Sequence, residues 1–395
     1  MLSNRQLFQQ YLAQTSFDPL GLEIVHAEGT HLFDTNGKRY IDLISGISVS
    51  NTGHRHPVVL SAIREQLDRY LHLMVYGEYI QAPQVKLAAR LAGILPAGLS
   101  NTYFVNSGSE AVEGALKLAK KSTGRKKIIS FKNAYHGSTQ GSLSIMGDEA
   151  MKKPFRPLLP GVRQLTFNST EELNKITEEI ACVIIEPVQG EAGVVSGTEE
   201  FIRAVRSRCT EMGTLLIFDE IQTGFGRTGS LFAFENYGVV PDVLVLAKGM
   251  GGGLPIGAFV SSREIMVSLS HDPALGHITT FGGNAVCCAA ALASLEVILS
   301  ENLHKTARVK SKLFRELLQN LYGVKEYRSA GLLIALELES FNVVKKVISK
   351  CLEAGLIIDW FLFNPNSIRI APPLTITADE IRESCRIIAA SIAAV

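Results

Sequence analysis

The chain has 395 residues, a formal net charge of +1 at neutral pH, 46% apolar residues and 19% charged ones. Near-neutrality gives no general reason to expect a nucleic acid or an anionic membrane as partner, and no apolar run approaches the ~18 residues that span a bilayer. The length points to two domains rather than one small core.

The opening stretch, MLSNRQLFQQYLAQ, lacks the basic-then-apolar order of a secretory signal and reads as a short amphipathic helix. Residues 23–43 alternate as paired strands and turn at Asn36-Gly37, a strong hairpin signal. The loop from Gly46 to Pro57 is polar and glycine-punctuated and carries His54 and His56. No further ligand stands at a metal-like spacing, so no metal is expected and the loop reads as lining a site. Helices follow at about 57–70 and 83–92.

A strand over 101–106 runs into Ser107-Gly108-Ser109-Glu110 and a helix. Ser107 and Glu110 stand as a capping box, and glycine beside free N–H groups at a helix start suits an anion; a plain capped helix is the other reading. The strand 127–131 ends in Lys132-Asn133-Ala134-Tyr135-His136-Gly137-Ser138, where Tyr135 could stack flat on a planar ring or simply pack. The strand 181–186 ends in an acid, Glu186, followed by a loop through Glu191. A helix over about 199–211 then leads to two short apolar runs, Leu215–Phe218 and Val243–Ala247, which read as buried strands.

Each of these runs meets a charge, Asp219 after the first and Lys248 after the second. Chemistry in an open α/β sheet sits beyond the carboxyl ends of its strands, so the two would converge on one crevice. Desolvation there lowers an amine's pKa, as a Schiff-base lysine requires, and a carboxylate is the partner of a pyridinium nitrogen. An internal ion pair is the other reading of that spacing. Gly224–Gly229 fits G-x-G-x-x-G but neither follows a strand directly nor opens a helix, so it reads as a loop. A further strand is expected over 255–261, a long small-residue helix after Asn284, and then a helix, strands at 332–338 and 367–370, and closing helices. Strands alternating with helices argue a mostly parallel sheet. The expected organisation is an N-terminal segment, 1–50, packing with a small α+β domain, 296–395, around a large domain, 51–295. None of Cys182, Cys209, Cys287, Cys288, Cys351 and Cys385 forms a C-x-x-C pair. Buried free thiols in a reducing compartment are expected, and with them a cytoplasmic location.

The stretches NSGSEA, EPVQGEAG, DEIQTGFGRTG, AKGMGGGLPIGA and FGGNA, in that order, resemble the class III (ω-) aminotransferases, which use pyridoxal phosphate. The resemblance covers nearly the whole chain. It implies the fold-type I, aspartate aminotransferase-like α/β fold and a homodimer with shared sites. Within the class, EPVQGEAGV and RIAPPL look closest to ornithine and acetylornithine enzymes, and SGISVSNTGHRHP equally to 4-aminobutyrate enzymes.

The resemblance also assigns roles. Lys248 matches the Schiff-base lysine, Asp219 the carboxylate on the pyridine nitrogen and Gln222 the neighbour of the ring hydroxyl. Ser107, Gly108 and Ser109 match the phosphate cradle, Thr280 a threonine that reaches the other subunit's phosphate, Tyr135 the stacking aromatic beside His136, and Glu186 a residue near the cofactor. Glu191 matches a gate acid that pairs with Arg369, the holder of a keto acid's α-carboxylate. Ser138 is a departure, because many relatives place there an arginine that clamps a second carboxylate. The implied reaction is ping-pong transamination between an amine donor and a 2-oxo acid, with Lys248 as proton shuttle. Decarboxylase, aminomutase or racemase chemistry on the same scaffold is the alternative, and more remotely a nicotinamide-dependent dehydrogenase resting on Gly224–Gly229.

Overall fold

The computed structural model describes residues 2–395. Its centre is a seven-stranded sheet in the order Asn101–Val105, Gly257–Ser261, Val243–Leu246, Leu215–Asp219, Ile180–Ile185, Lys127–Phe131, Val162–Leu165. Every pairing is parallel except the two made by Gly257–Ser261, which runs against both neighbours. The middle strands are apolar throughout because both sheet faces are covered by helices; Ile180–Ile185 and Val243–Leu246 are buried at every position.

One covering helix, Ala285–Ser300, is built of small apolar residues and packs on both Pro57–Leu67 and Ala82–Ala92. Alanine and cysteine let the three axes approach closely, and so this helix is apolar almost all round. Five of the six cysteines are buried; Cys287, on this helix, is half-buried, where the sequence suggested enclosure for all.

A second sheet, all antiparallel, runs Glu326–Ala330, Leu333–Glu337, Ser367–Ile370, Asp359–Trp360. The strand Glu326–Ala330 and the helix Phe341–Glu353 were not expected from the sequence. A third sheet joins the N-terminal strands Ile24–Glu28, His31–Asp34 and Arg39–Asp42 to Leu356–Ile357, so the N-terminal segment packs with the C-terminal layer. The turn at Asn36-Gly37 is closed by Gly37 N–H donating to the Asp34 carbonyl at 3.0 Å, and only its glycine has positive φ. The opening helix, Asn4–Tyr11, buries no residue.

Candidate active site

The parallel strands bring their carboxyl ends to one edge of the central sheet, and a crevice of about 460 Å³ opens there. Asn106–Ser109, Tyr135, His136, Glu186, Asp219, Gln222 and Lys248 all line it. Residues spread over more than a hundred positions therefore meet because each ends a strand or stands within a few residues of its end.

Asp219 ends its strand and is 3% exposed. One carboxylate oxygen accepts from the Ile221 N–H at 3.0 Å and the other from His136 Nδ1 at 2.7 Å. A carboxylate can only accept here, so the imidazole hydrogen sits on Nδ1; His136 Nε2 has no protein partner. His136 thus holds Asp219 through a hydrogen bond that the sequence did not reveal.

Glu186 is also buried and accepts from the N–H groups of Tyr135 at 3.0 Å and Gly190 at 3.4 Å. Burial first, and then the charge of Asp219, pushes its carboxyl well above the ordinary range. Gln222 lies opposite Gly190, where a Cβ would stand 1.7 Å from the Gln222 amide oxygen. The Gln222 amide nitrogen is buried without a partner, a donor waiting for an acceptor.

Lys248 opens a short 3₁₀ turn with φ of +46°, a left-handed conformation that a non-glycine side chain adopts at a cost. Loss of water lowers its pKa below the ordinary lysine value; Glu191 opposes this, Arg369 adds to it, and Asp219 and Glu186 oppose it further. The amine is therefore easier to deprotonate than a surface lysine, as a nucleophile requires.

At the helix Gly108–Thr123, Ser107 caps the start by accepting from the Glu110 N–H. The reciprocal half of the expected capping box is absent. The Glu110 carboxylate instead accepts from the backbone N–H and side-chain amide of Asn106, both at 2.8 Å. Asn106, the residue after the strand, competes successfully for that oxygen. The first N–H groups of this helix have no intrahelical acceptor, which leaves an anion site at the floor of the crevice. Ser109 Oγ accepts from the Ser138 N–H at 3.3 Å, so its hydroxyl hydrogen is directed elsewhere.

Ser138 itself is exposed at the rim, 3.2 Å from the Tyr135 hydroxyl. Arg55 and Lys132, the other cations of neighbouring loops, are both exposed, and Arg55 sits 3.4 Å from His26. The histidine loop supplies Val49 to the crevice, while His54 pairs with Asp42 at 2.8 Å. Thr280 is exposed and lies outside the crevice of its own chain.

Arg369 and Glu191 meet as a buried pair, with contacts of 2.7 and 3.3 Å. Asp359 also accepts from Arg369 Nε at 3.0 Å; the sequence reading missed it. The two runs flanking Asn364-Pro365-Asn366 form an antiparallel pair in which Asp359 faces Arg369. A hairpin centred on that turn would have been the signal.

The G-x-G-x-x-G stretch is irregular turn, as expected. Its Arg227 is 0% exposed. It donates to the Leu332 and Pro372 carbonyls at 3.0 and 2.5 Å and to Asn51 Oδ1 at 2.5 Å. Burial with no carboxylate in contact pushes its pKa down to about 9. With a further contact to Ser45 Oγ at 3.4 Å, this arginine ties the N-terminal segment and the C-terminal layer to the loop that follows Asp219.

The model of the family "Aminotransferase class-III" matches residues 12–392. The acetylornithine aminotransferase of Archaeoglobus fulgidus is 41% identical over 369 residues, 92% of this chain and 94% of that protein. The putrescine aminotransferase of Pectobacterium atrosepticum is 40% identical over 371 residues, 90% of this chain and 78% of that protein. Among solved structures, an ornithine aminotransferase from Toxoplasma gondii, with pyridoxal phosphate at partial occupancy in its active site, superposes with a TM-score of 0.91 at 30% identity, covering 98% of this chain and 93% of that one.

Proposed function

This chain belongs to the class III aminotransferases, whose cofactor is pyridoxal phosphate, and from that premise we propose that it moves the terminal amino group of an ω-amine to a 2-oxo acid. The residues fit the cofactor. The unpartnered Gln222 amide suits the ring hydroxyl, and the helix start at Gly108 suits the phosphate, where a Cβ would press to 2.8 Å of Ile221 beneath it.

Bound there, the cofactor supplies an aldehyde that carries the amino group and a ring that draws off the electron pair released at the substrate carbon. Lys248 Nζ would hold the cofactor at rest and, as a free amine, would move a proton as general base and acid. Asp219, fixed by His136 and Ile221, would keep a proton on the ring nitrogen. Tyr135 would cover the ring, and Ser107 and Ser109 would bind the phosphate. Donor and acceptor occupy the one site in turn, which makes the kinetics ping-pong.

The observation that carries the ω-amine reading is the Glu191–Arg369 pair. With Glu191 in place the guanidinium is neutralised, and an amine without an α-carboxylate meets no free charge. A keto acid's carboxylate takes Arg369 when Glu191 leaves. Ser138 offers a hydroxyl where a second clamp would stand, so donors without a distal carboxylate are favoured.

The site is completed by a second copy of the chain. Leu71, Tyr79, Ile80, Ile278 and Phe281 are exposed large apolar residues in the segments around Thr280, a surface suited to burial between subunits. Thr280 then serves the partner's phosphate.

The test is a donor panel of ω-amino acids, diamines and simple amines against pyruvate and 2-oxoglutarate. Amino transfer from an ω-amine is the expected result. Release of carbon dioxide, or turnover without a keto acid, would assign the decarboxylase or mutase chemistry instead.

A further inference from the structure

We infer that Asp359 is a positioning residue for Arg369, holding the guanidinium by Nε so that its two terminal nitrogens face the place where Glu191 and a keto acid's carboxylate exchange. This rests on the reading of Arg369 as the carboxylate site.

The arginine has three kinds of restraint. Nε donates to Asp359 Oδ1 at 3.0 Å, one terminal nitrogen donates to the Trp360 carbonyl at 2.6 Å, and the cation lies over the Phe361 ring, 4.8 Å from its centroid. The remaining donors go to Glu191, which receives bonds at 2.7 and 3.3 Å. A guanidinium bound through Nε and one edge cannot rotate about its Cδ–Nε bond without breaking both contacts. The fork therefore stays aimed while its occupant changes.

The two carboxylates differ in what anchors them. Asp359 is the direct cross-strand partner of Arg369 in the antiparallel pairing, and moving it means opening the sheet. Glu191 stands in a turn between Val188–Gln189 and Val195–Ser196, with Gly190 before it and Gly193 two residues after. Beyond Arg369, its carboxylate accepts from the Leu362 N–H at 3.1 Å and its backbone carbonyl from the Phe363 N–H at 3.0 Å. Asp359 holds Nε, whereas Glu191 occupies the two terminal nitrogens, so it is the departure of Glu191 that frees the fork for another carboxylate. Arg369 is then not stranded as an unpaired buried cation, because Asp359 remains on it. The incoming carboxylate inherits both the fork and the Leu362 N–H.

The experiment uses the holoenzyme and compares Asp359→Ala, Asp359→Asn and Arg369→Ala. It follows the amine half-reaction with butylamine, the KM for pyruvate and the inhibition constant of unreactive propionate. Loss of a charge-assisted hydrogen bond that aims the fork should raise the pyruvate KM and the propionate constant about tenfold in Asp359→Ala. The butylamine half-reaction should move far less. Asparagine keeps an oxygen for Nε and should restore most of the loss. Three outcomes overturn the inference while leaving the carboxylate site standing. Equal damage to both half-reactions in Asp359→Ala would mark a merely structural residue. Failure of asparagine to rescue would show that charge, not aim, matters. Loss of pyruvate binding in Arg369→Ala but not in Asp359→Ala would remove Asp359 alone. An Arg369→Ala enzyme that binds pyruvate and propionate normally would instead refute the carboxylate site itself, and the inference with it.

Discussion

Replacing Asp219 by asparagine separates charge from shape at the centre of the site. The carboxylate has two protein donors, the Ile221 N–H and His136 Nδ1–H. Asparagine keeps an oxygen for Ile221 and turns its NH₂ toward His136. The imidazole can answer by moving its hydrogen to Nε2, which has no protein partner to lose, so that Nδ1 accepts. Both contacts survive with one polarity reversed, and the structural cost should be about 1 kcal/mol or less. What disappears is the negative charge proposed to keep the ring nitrogen protonated. A preorganised electrostatic group of this kind is worth roughly 3–4 kcal/mol, or about 10²–10³ in rate. The assay is a single-turnover amine half-reaction followed by the cofactor's absorbance, with cofactor affinity measured separately. Asp219→Asn should keep the cofactor and lose the rate. A near-normal rate would remove Asp219 from its role, and a parallel loss of cofactor would show that its work is structural.

Mixing inactive Lys248→Ala and Thr280→Ala chains should restore activity, because one of the two mixed sites then has both residues; no gain despite proven subunit exchange would speak against sharing. Ser138→Arg should raise kcat/KM for 4-aminobutyrate and acetylornithine relative to putrescine, by roughly the tenfold or more that a hydrogen-bonded charge is worth. A wild type already selective for those carboxylates and unmoved by the change would show another residue acting as clamp. Arg227→Met should destabilise the fold by about 3 kcal/mol in urea unfolding, since it leaves the Leu332 and Pro372 carbonyls and the Asn51 side chain without their donor. A loss under about 1 kcal/mol would mean that relief from burying the charge offsets those bonds.

Asp219 and Lys248 were legible because each closes a short apolar run, and a buried strand leaves a charged residue nowhere to go except the crevice at its end. Glu186 and Tyr135 follow the same logic. Arg369 and Glu191 were not readable that way. One sits within a strand and the other in a turn, and only the resemblance paired them before the geometry did. Asp359 stayed hidden because its strand, Asp359–Trp360, is two residues long, too short for alternation to register. Arg227 was missed for the opposite reason. A glycine-rich loop predicts solvent, yet here the loop is buried by segments far away in sequence. The capping-box reading of Ser107 and Glu110 failed on local competition, because a spacing rule cannot know that Asn106 offers two donors to the same oxygen.

A ribosome delivers this chain from one end, and the reversed strand Gly257–Ser261 sets when the cofactor pocket can exist. Asn101–Val105, which carries Ser107–Ser109 at its end, has that strand as its only neighbour in the central sheet. A nascent chain that has reached Lys248 can pair the strands bearing Asp219 and Lys248 with each other, but the strand that ends at Ser107–Ser109 has nothing to dock on, and Val243–Leu246 presents an open apolar edge. Such long-range closure is slow, and unpaired edges invite aggregation. The complete pocket can therefore form only after residue 261 has cleared the exit tunnel, and until then the sheet carries an unpaired edge.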